Sequence, residues 1–142
     1  MEKTRGRIKI SSLGIYVPPR ILTNADLEKM VETSDEWIVT RTGIRERHIA
    51  DDSQATSDLC LEAARRALEQ SSLTVEDIDL ILVATSSPDT LFPSTACWVQ
   101  KGLGAVEIPA FDLSAGCTGF LYGLIVAESL ILNRVCRRVL LI

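Results

Sequence analysis

The segment from Phe120 to Leu132 restricts the possible folds of this chain more than any other feature of its sequence. Apolar residues occupy almost every helical position, so a helix built from this segment is apolar around most of its circumference. A helix of that kind is stable in water only when other elements cover it on all sides. A chain of 142 residues has too few flanking elements to do this alone. We therefore expect another domain or a second subunit to pack against this helix.

Strands and helices alternate along the rest of the chain. Ile78 to Ala84 is almost entirely apolar and rich in β-branched residues, which is typical of a strand covered on both faces of a parallel sheet. Thr56 to Gln70 has apolar residues at helical spacing and charged residues on the opposite face. The alternation predicts an α/β fold with right-handed crossovers. Further strands are expected at Arg7–Val17, Pro109–Leu113 and Arg138–Ile142, and further helices at Asn24–Val31, Ser94–Lys101 and Cys117–Leu132. One more short helix is expected to begin at a capping box formed by Thr33 and Glu36 and to end at Gly43.

Composition and charge exclude several classes of protein. The chain holds 46% hydrophobic and 24% charged residues, as a globular rather than a disordered protein does. A net charge of −4 argues against a general nucleic-acid binder. The cysteines form no C-x-x-C pair and the chain has a single histidine, so the spacing of a zinc site is missing. No apolar run suits a signal peptide or a membrane span, and we expect a cytoplasmic protein with reduced thiols and no membrane partner.

A thiol stands at the junction between a predicted strand and the apolar helix. The segment Phe111 to Phe120 consists of a strand, a turn of small residues and Cys117, an order that is typical of a nucleophile elbow. The positive end of the helix macrodipole favours a thiolate at such a place, and the backbone N–H groups there can stabilise an oxyanion. Cys117 is therefore a candidate catalytic nucleophile. A buried structural thiol explains the same spacing equally well.

Two further groups of residues have both a functional and a structural interpretation. Thr33, Trp37 and Arg41 are four residues apart on one helix face, where an aromatic ring beside a guanidinium group suits a phosphorylated nucleotide. The alternative, which spacing alone favours, is a half-buried tryptophan beside solvated arginines. Phe92 lies just before a predicted helix and belongs to a pocket wall, to a subunit interface or, equally well, to an ordinary core. His48 is interpreted as a polar residue at a strand edge.

At these residues the sequence resembles β-ketoacyl-acyl-carrier-protein synthase III, the initiating condensing enzyme of type II fatty-acid synthesis and a member of the thiolase superfamily. The resemblance extends along essentially the whole chain. Its most distinctive pieces are Thr33–Arg47, Phe92–Cys97 and the segment around Cys117. It implies the N-terminal half of a thiolase-like fold, with a mixed, mostly parallel sheet and helices on both faces.

The resemblance also implies a reaction and a role for each candidate residue. Cys117 matches the nucleophile that takes acetyl or another short acyl group from coenzyme A as a thioester. The enolate released by decarboxylation of malonyl-acyl-carrier protein then attacks that thioester. Thr33, Trp37 and Arg41 match the mouth of the coenzyme A tunnel, with Trp37 stacking on adenine, and Phe92 matches a residue that shapes the acyl pocket across a dimer interface. Coenzyme A thioesters are substrates, and no permanently bound cofactor or metal is implied.

The chain departs from the family in its length. The family's catalytic His and Asn lie in a second half that has no counterpart in this sequence, and His48 does not match that histidine. We therefore expect residues 1–142 to form one N-terminal half-domain that ends inside a strand and acts as a homodimer or with a complementary C-terminal half. Two alternatives stay open: a starter acyltransferase or ketosynthase of a polyketide or quinolone pathway, and a non-catalytic split fragment that only associates with a second chain.

Overall fold

The computed structural model describes residues 8–142, which form two compact units. The larger unit contains residues 8–16 together with residues 56–142, and the smaller unit contains Val17–Ala55. Within the described range, no helix is long and apolar enough to span a bilayer.

The smaller unit is built on an antiparallel pair of short strands. Its elements in chain order are β1 (Arg20–Thr23), α1 (Asn24–Leu27), α2 (Asp35–Thr42) and β2 (Glu46–Ile49). Thr23 caps α1 and forms a capping box with Asp26. Helix α2 ends at the expected Gly43, whose φ of 73° lies in the left-handed region that favours glycine.

Asn24 holds this unit together from the inside. Its buried side chain donates to the Asp35 carboxylate at 2.6 Å and to the Ile44 carbonyl at 2.9 Å, and its amide oxygen accepts from the Arg47 guanidinium group. These bonds join α1 to the start of α2, to the loop after α2 and to β2. Since a buried polar group without partners costs about 1–3 kcal/mol, the side chain of Asn24 strongly favours this one arrangement of the elements.

A three-stranded parallel sheet forms the centre of the larger unit. Its strands, hydrogen-bonded in the order β4-β3-β5, are β3 (Leu80–Ala84), β4 (Ala110–Leu113) and β5 (Val139–Leu141). The helices of this unit are α3 (Thr56–Ser71), α4 (Thr95–Leu103) and α5 (Gly119–Leu132). Apolar and buried, β3 lies in the middle of the sheet, which confirms the strand predicted there.

Helices cover both faces of this sheet. On one face, α3 and α4 pack over Ile81 and Val83, which belong to the main core together with Ala64 and Val99. On the other face, α5 contacts β3 and β5. Burying a large aliphatic side chain stabilises a fold by about 1.5–3 kcal/mol, so the centre of the sheet contributes much of the stability of this unit. The expected α/β class, with a parallel sheet between two layers of helices, is confirmed.

Helix α5 contacts its own sheet through its smallest residues. Its buried positions are Gly119, Gly123 and Ala127, each one turn after the last. A Cβ on Gly123 would lie 2.6 Å from a methyl carbon of Leu141, so the helix approaches β5 closely. The large apolar side chains that stay exposed on this helix are Phe120, Leu121, Tyr122, Ile125 and Leu132. The described chain thus leaves much of this helix uncovered, as the sequence predicts.

The strand predicted at Arg7–Val17 is wrong for residues 8–17, which form no strand, and its first residue lies outside the described range. The backbone of this segment contacts helix α3 instead of a neighbouring strand. The Arg66 guanidinium group donates to the Ile15 carbonyl at 2.7 Å. Gly14 approaches so closely that a Cβ there would lie 2.0 Å from a carbonyl oxygen of α3. The side of the segment that faces α3 carries the partly buried Ser12, Gly14 and Tyr16, whereas the apolar Ile10, Leu13 and Ile15 of the alternating pattern are exposed.

Candidate active site

Cys117 lies in a turn between the sheet and helix α5. Strand β4 leads to a single 3₁₀ turn at Gly116–Thr118, and α5 begins directly after it, two residues later than predicted. Gly116 has a φ of 55°, a conformation that residues with a Cβ adopt only under strain. Apart from its two chain neighbours, no residue within 8–142 has an atom within 4 Å of the place where its Cβ would be. The backbone of the turn therefore requires glycine, and the space beside the turn is open.

The Cys117 thiol is exposed and free. This exposure contradicts the interpretation of Cys117 as a buried structural thiol. Thr118, at the N-cap position of α5, makes no capping bond with its side chain and instead donates to the Ala115 carbonyl at 2.9 Å. The first N–H groups of α5 are thus not occupied by that hydroxyl, and such groups can stabilise an oxyanion that forms next to the thiol.

The other cysteines have the properties of structural thiols. Cys60 lies in the main core, where burial and the nearby carboxylates of Asp89 and Asp112 raise its pKa to about 11. Burial also raises the pKa of Cys136. Cys97 is half-buried, and its sulfur accepts a hydrogen bond from the Ser94 hydroxyl at 3.2 Å. Of the four cysteines, Cys117 alone combines exposure with a turn at the start of a helix.

Phe92 stands at the tip of the loop that joins β3 to α4. Leu91 is 97% exposed and Phe92 is 92% exposed. The interpretation of Phe92 as a core aromatic is therefore wrong for this chain. A large apolar side chain held in solvent at a loop tip fits the wall of a pocket or an interface better.

Sequence reasoning missed Asp112, which lies on β4 five residues before the thiol. Its two carboxylate oxygens accept from the backbone N–H groups of Thr95 and Ala96, each at 2.8 Å. Ser94 has the N-cap position of α4, as predicted, but makes no side-chain capping bond there. An acidic residue inside an otherwise apolar strand was the available signal, because a buried carboxylate needs such donors.

The second group of candidate residues lies on helix α2 of the smaller unit. Trp37 is 55% exposed, and the Arg41 guanidinium carbon lies 5.0 Å from the centre of its ring. Thr33 is half-buried just before the helix. It does not form the predicted capping box, because the Ser34 hydroxyl caps the helix by accepting from Trp37 N–H at 3.1 Å. An exposed indole ring paired with a guanidinium group presents an aromatic plane beside a positive charge.

The neighbouring basic residues have other partners. Arg47 donates to Asn24, and His48 Nδ1 lies 2.6 Å from the Pro18 carbonyl oxygen. His48 lies on β2, in agreement with its interpretation as a polar strand residue. Throughout residues 8–142, no group of three or more His, Cys, Asp or Glu side chains is arranged to hold a metal ion.

Comparison with known proteins places this turn in a family. A family model described as 3-oxoacyl-[acyl-carrier-protein] synthase III matches residues 111–142, which include Cys117. A β-ketoacyl-[acyl-carrier-protein] synthase III from Caldanaerobacter subterraneus is 60% identical over 94% of this chain and 40% of its own length. The crystal structure of a 3-oxoacyl-[acyl-carrier-protein] synthase III from Aquifex aeolicus superposes with a TM-score of 0.91 at 49% identity, over 94% of this chain and 43% of that one. The priming β-ketosynthase of the R1128 polyketide pathway superposes with a TM-score of 0.89 at 34% identity, over 94% of this chain and 40% of that one.

These matches confirm the expected thiolase-like fold. The chain spans about two fifths of the length of the relatives it matches. The resemblance found in the sequence is thus confirmed: over 94% of its length, this chain is a homologue of the β-ketoacyl-[acyl-carrier-protein] synthase III family.

Proposed function

We propose that this chain carries the acyl-accepting part of a β-ketoacyl-acyl-carrier-protein synthase III, with Cys117 as the nucleophile. The observation that carries the proposal is an exposed, free thiol in a glycine-dependent turn at the start of α5, inside the segment that the family model matches. Cys60 is unsuited to this role, because it is buried and its pKa is raised to about 11.

In the first step, the sulfur of Cys117 attacks the carbonyl carbon of an acyl-coenzyme A. A bond forms between that sulfur and the acyl carbon, the bond between the coenzyme A sulfur and the same carbon breaks, and coenzyme A leaves with the proton of the thiol. The negative charge on the carbonyl oxygen in the tetrahedral intermediate is stabilised by N–H groups at the start of α5. No permanently bound cofactor takes part.

In the second step, malonyl-acyl-carrier protein loses carbon dioxide and its enolate carbon attacks the acyl group on Cys117. A carbon–carbon bond forms, the thioester bond to Cys117 breaks, and the released thiolate takes a proton from water. The catalytic His and Asn of the family have no match in this sequence. We assign them to a region that corresponds to the remaining three fifths of the relatives' length.

The smaller unit is proposed to hold the nucleotide end of coenzyme A. The exposed face of the Trp37 ring offers a stacking surface for adenine, and Arg41 offers a charge for phosphate. Thr33, directly before the same helix, adds a hydroxyl beside them.

We further propose that the chain forms a half-domain whose apolar helix is covered in the working protein. The exposed Leu121, Tyr122 and Ile125 suit a complementary C-terminal half, and the exposed Phe92 suits a dimer interface at which it shapes the acyl pocket. A cytoplasmic location follows from the substrates, since acyl-coenzyme A and acyl-carrier protein are found there.

A starter ketosynthase of a polyketide pathway is the second candidate. The R1128 enzyme shares this fold at 34% identity, whereas the synthase III of Caldanaerobacter subterraneus reaches 60%. The higher identity favours fatty-acid initiation. The two candidates differ in the acyl donor and the acceptor that they use.

The test is to incubate the full chain with isotopically labelled acetyl-coenzyme A and to locate the label by peptide mass spectrometry. We expect one acetyl group on the peptide that contains Cys117, no label in a Cys117→Ala variant, and unchanged labelling in a Cys97→Ala variant, which removes a half-buried thiol of the same unit. Label that persists in Cys117→Ala would refute the assignment.

A further inference from the structure

Asp89 joins the loop that carries Phe92 to helix α3. Its carboxylate accepts from the backbone N–H of Ser57 at 2.9 Å and from the Ser57 hydroxyl at 2.5 Å. Ser57 is buried in the first turn of α3, so this bond pair connects the loop to a rigid element. Beside it, the Thr56 hydroxyl donates to the Ser87 carbonyl at 2.6 Å.

Asp89 also joins the loop to the strand that leads to the thiol. Its backbone N–H donates to the Thr95 hydroxyl at 3.1 Å, and that hydroxyl lies 3.3 Å from the Asp89 carboxylate, to which it donates. Thr95 is fully buried, and its own N–H donates to Asp112 on β4. A continuous series of hydrogen bonds therefore runs from Asp89 through Thr95 to Asp112, five residues before Cys117.

The tip of the loop has no apolar packing of its own. Leu91 and Phe92 are almost fully exposed, and the remaining bonds near the tip are those of the Thr90 hydroxyl, which donates to the Pro93 carbonyl at 2.7 Å and accepts from the Trp98 indole at 3.3 Å. Because no burial of apolar surface holds the tip, its position depends on hydrogen bonds at the base of the loop.

We propose that Asp89 is a positioning residue that sets the place of Phe92 at the dimer interface, and that it thereby determines which acyl groups the Cys117 of the partner subunit accepts. The inference rests on the proposed function, in which Phe92 shapes the acyl pocket. It adds a residue that touches neither the acyl group nor coenzyme A and acts through Thr95 and the loop. A displaced Phe92 leaves more room in the acyl pocket of the partner subunit, so longer acyl groups gain relative to acetyl there.

The test is a competition between acetyl-coenzyme A and hexanoyl-coenzyme A at equal concentrations, with the full chain. Mass spectrometry of the Cys117 peptide gives the ratio of the two acyl groups. We expect Asp89→Asn to raise the hexanoyl-to-acetyl ratio about tenfold, the effect of changing one contact in an apolar pocket. Phe92→Ala should raise the ratio at least as much. Ser57→Ala, which removes a single bond to Asp89, should raise it by a smaller factor.

Matched variants separate positioning from loss of structure. Asp79→Asn alters another carboxylate that accepts from two backbone N–H groups, at 2.7 and 2.9 Å, but lies outside the loop, and should leave the ratio unchanged. Thr95→Val should raise the ratio, and Thr95→Ser, which keeps the hydroxyl, should restore it. An unchanged ratio in Asp89→Asn, alongside a changed ratio in Phe92→Ala, would overturn the inference while leaving the proposed function intact. An unchanged ratio in Phe92→Ala would overturn it as well. Absence of either acyl group on Cys117 of the unmodified chain would refute the proposed function and the inference with it.

Discussion

The four cysteines should react with an alkylating reagent in an order set by exposure and burial. At pH 8, a thiol whose pKa is raised to about 11, as that of Cys60 is, has roughly 0.1% in the reactive thiolate form. A thiol with the ordinary pKa of 9.0 has roughly 9%. The raised pKa alone therefore slows Cys60 about 90-fold, and its position in the core slows it further.

We therefore expect iodoacetamide to modify Cys117 at least about 100-fold faster than Cys60 at pH 8. The assay is a quenched time course, in which peptide mass spectrometry follows each of the four cysteines separately. Unfolding in urea provides the control, because all four thiols should then react at similar rates. Equal rates for Cys60 and Cys117 in the folded chain would refute the burial of Cys60 if both react fast, and the exposure of Cys117 if both react slowly.

Three other predictions concern stability. Gly14→Ala should lower the urea midpoint by the equivalent of about 1–4 kcal/mol. A Cβ 2.0 Å from a carbonyl oxygen forces the segment off α3 and breaks hydrogen bonds worth about 0.5–1.5 kcal/mol each. The control is Gly119→Ala, which should not lower the midpoint because its Cβ lies at an ordinary 3.5 Å from its neighbour. Arg134→Gly should raise the urea midpoint by the equivalent of up to about 1 kcal/mol, because Arg134 follows α5 with a φ of 60°, a conformation that favours glycine. An unchanged or lower midpoint would contradict this. Hydrogen bonds from the Thr23 side chain and backbone, together with Lys29, lower the pKa of Asp26 to about 2. Its contribution to the free energy of unfolding is therefore present above pH 4 and is lost as the pH falls toward 2. The pH dependence of the free energy of unfolding should weaken in Asp26→Asn over that range, and identical curves for the two proteins would refute this.

The elements that the sequence predicts well are those with local causes. Strand β3 and helices α3 and α5 follow from hydrophobic periodicity, and the ends of α1 and α2 follow from Thr23 and Gly43. The segment 8–17 was mispredicted because an alternating pattern predicts a strand without showing what the segment contacts: it binds helix α3 through hydrogen bonds, and its apolar Ile10, Leu13 and Ile15 stay exposed.

The candidate site was predictable for the same reason only in part. The turn before α5 depends on residues that are adjacent in sequence, and its small residues predict it. The hydrogen bonds that join Ser57 to Asp89 and Thr95 to Asp112 link residues that are far apart in sequence, and no periodicity or motif predicts them. The roles of Cys117, Trp37, Arg41, Thr33 and Phe92 in catalysis and binding stay predictions.

On helix α5, different side chains contribute to the free energy of folding and to the free energy of association, although the same side chains usually contribute to both. Its small residues, among them Gly123, contact the sheet, while Leu121 and Ile125 remain free to contact something else. A larger residue at Gly123 therefore lowers the stability of the folded unit itself. In contrast, Leu121→Ala or Ile125→Ala changes only the affinity of the unit for the partner that covers it. The stability of such a unit rises with the concentration of its covering partner by mass action. Helix α5 can thus be complete and correctly placed before assembly, and assembly then adds stability without refolding it.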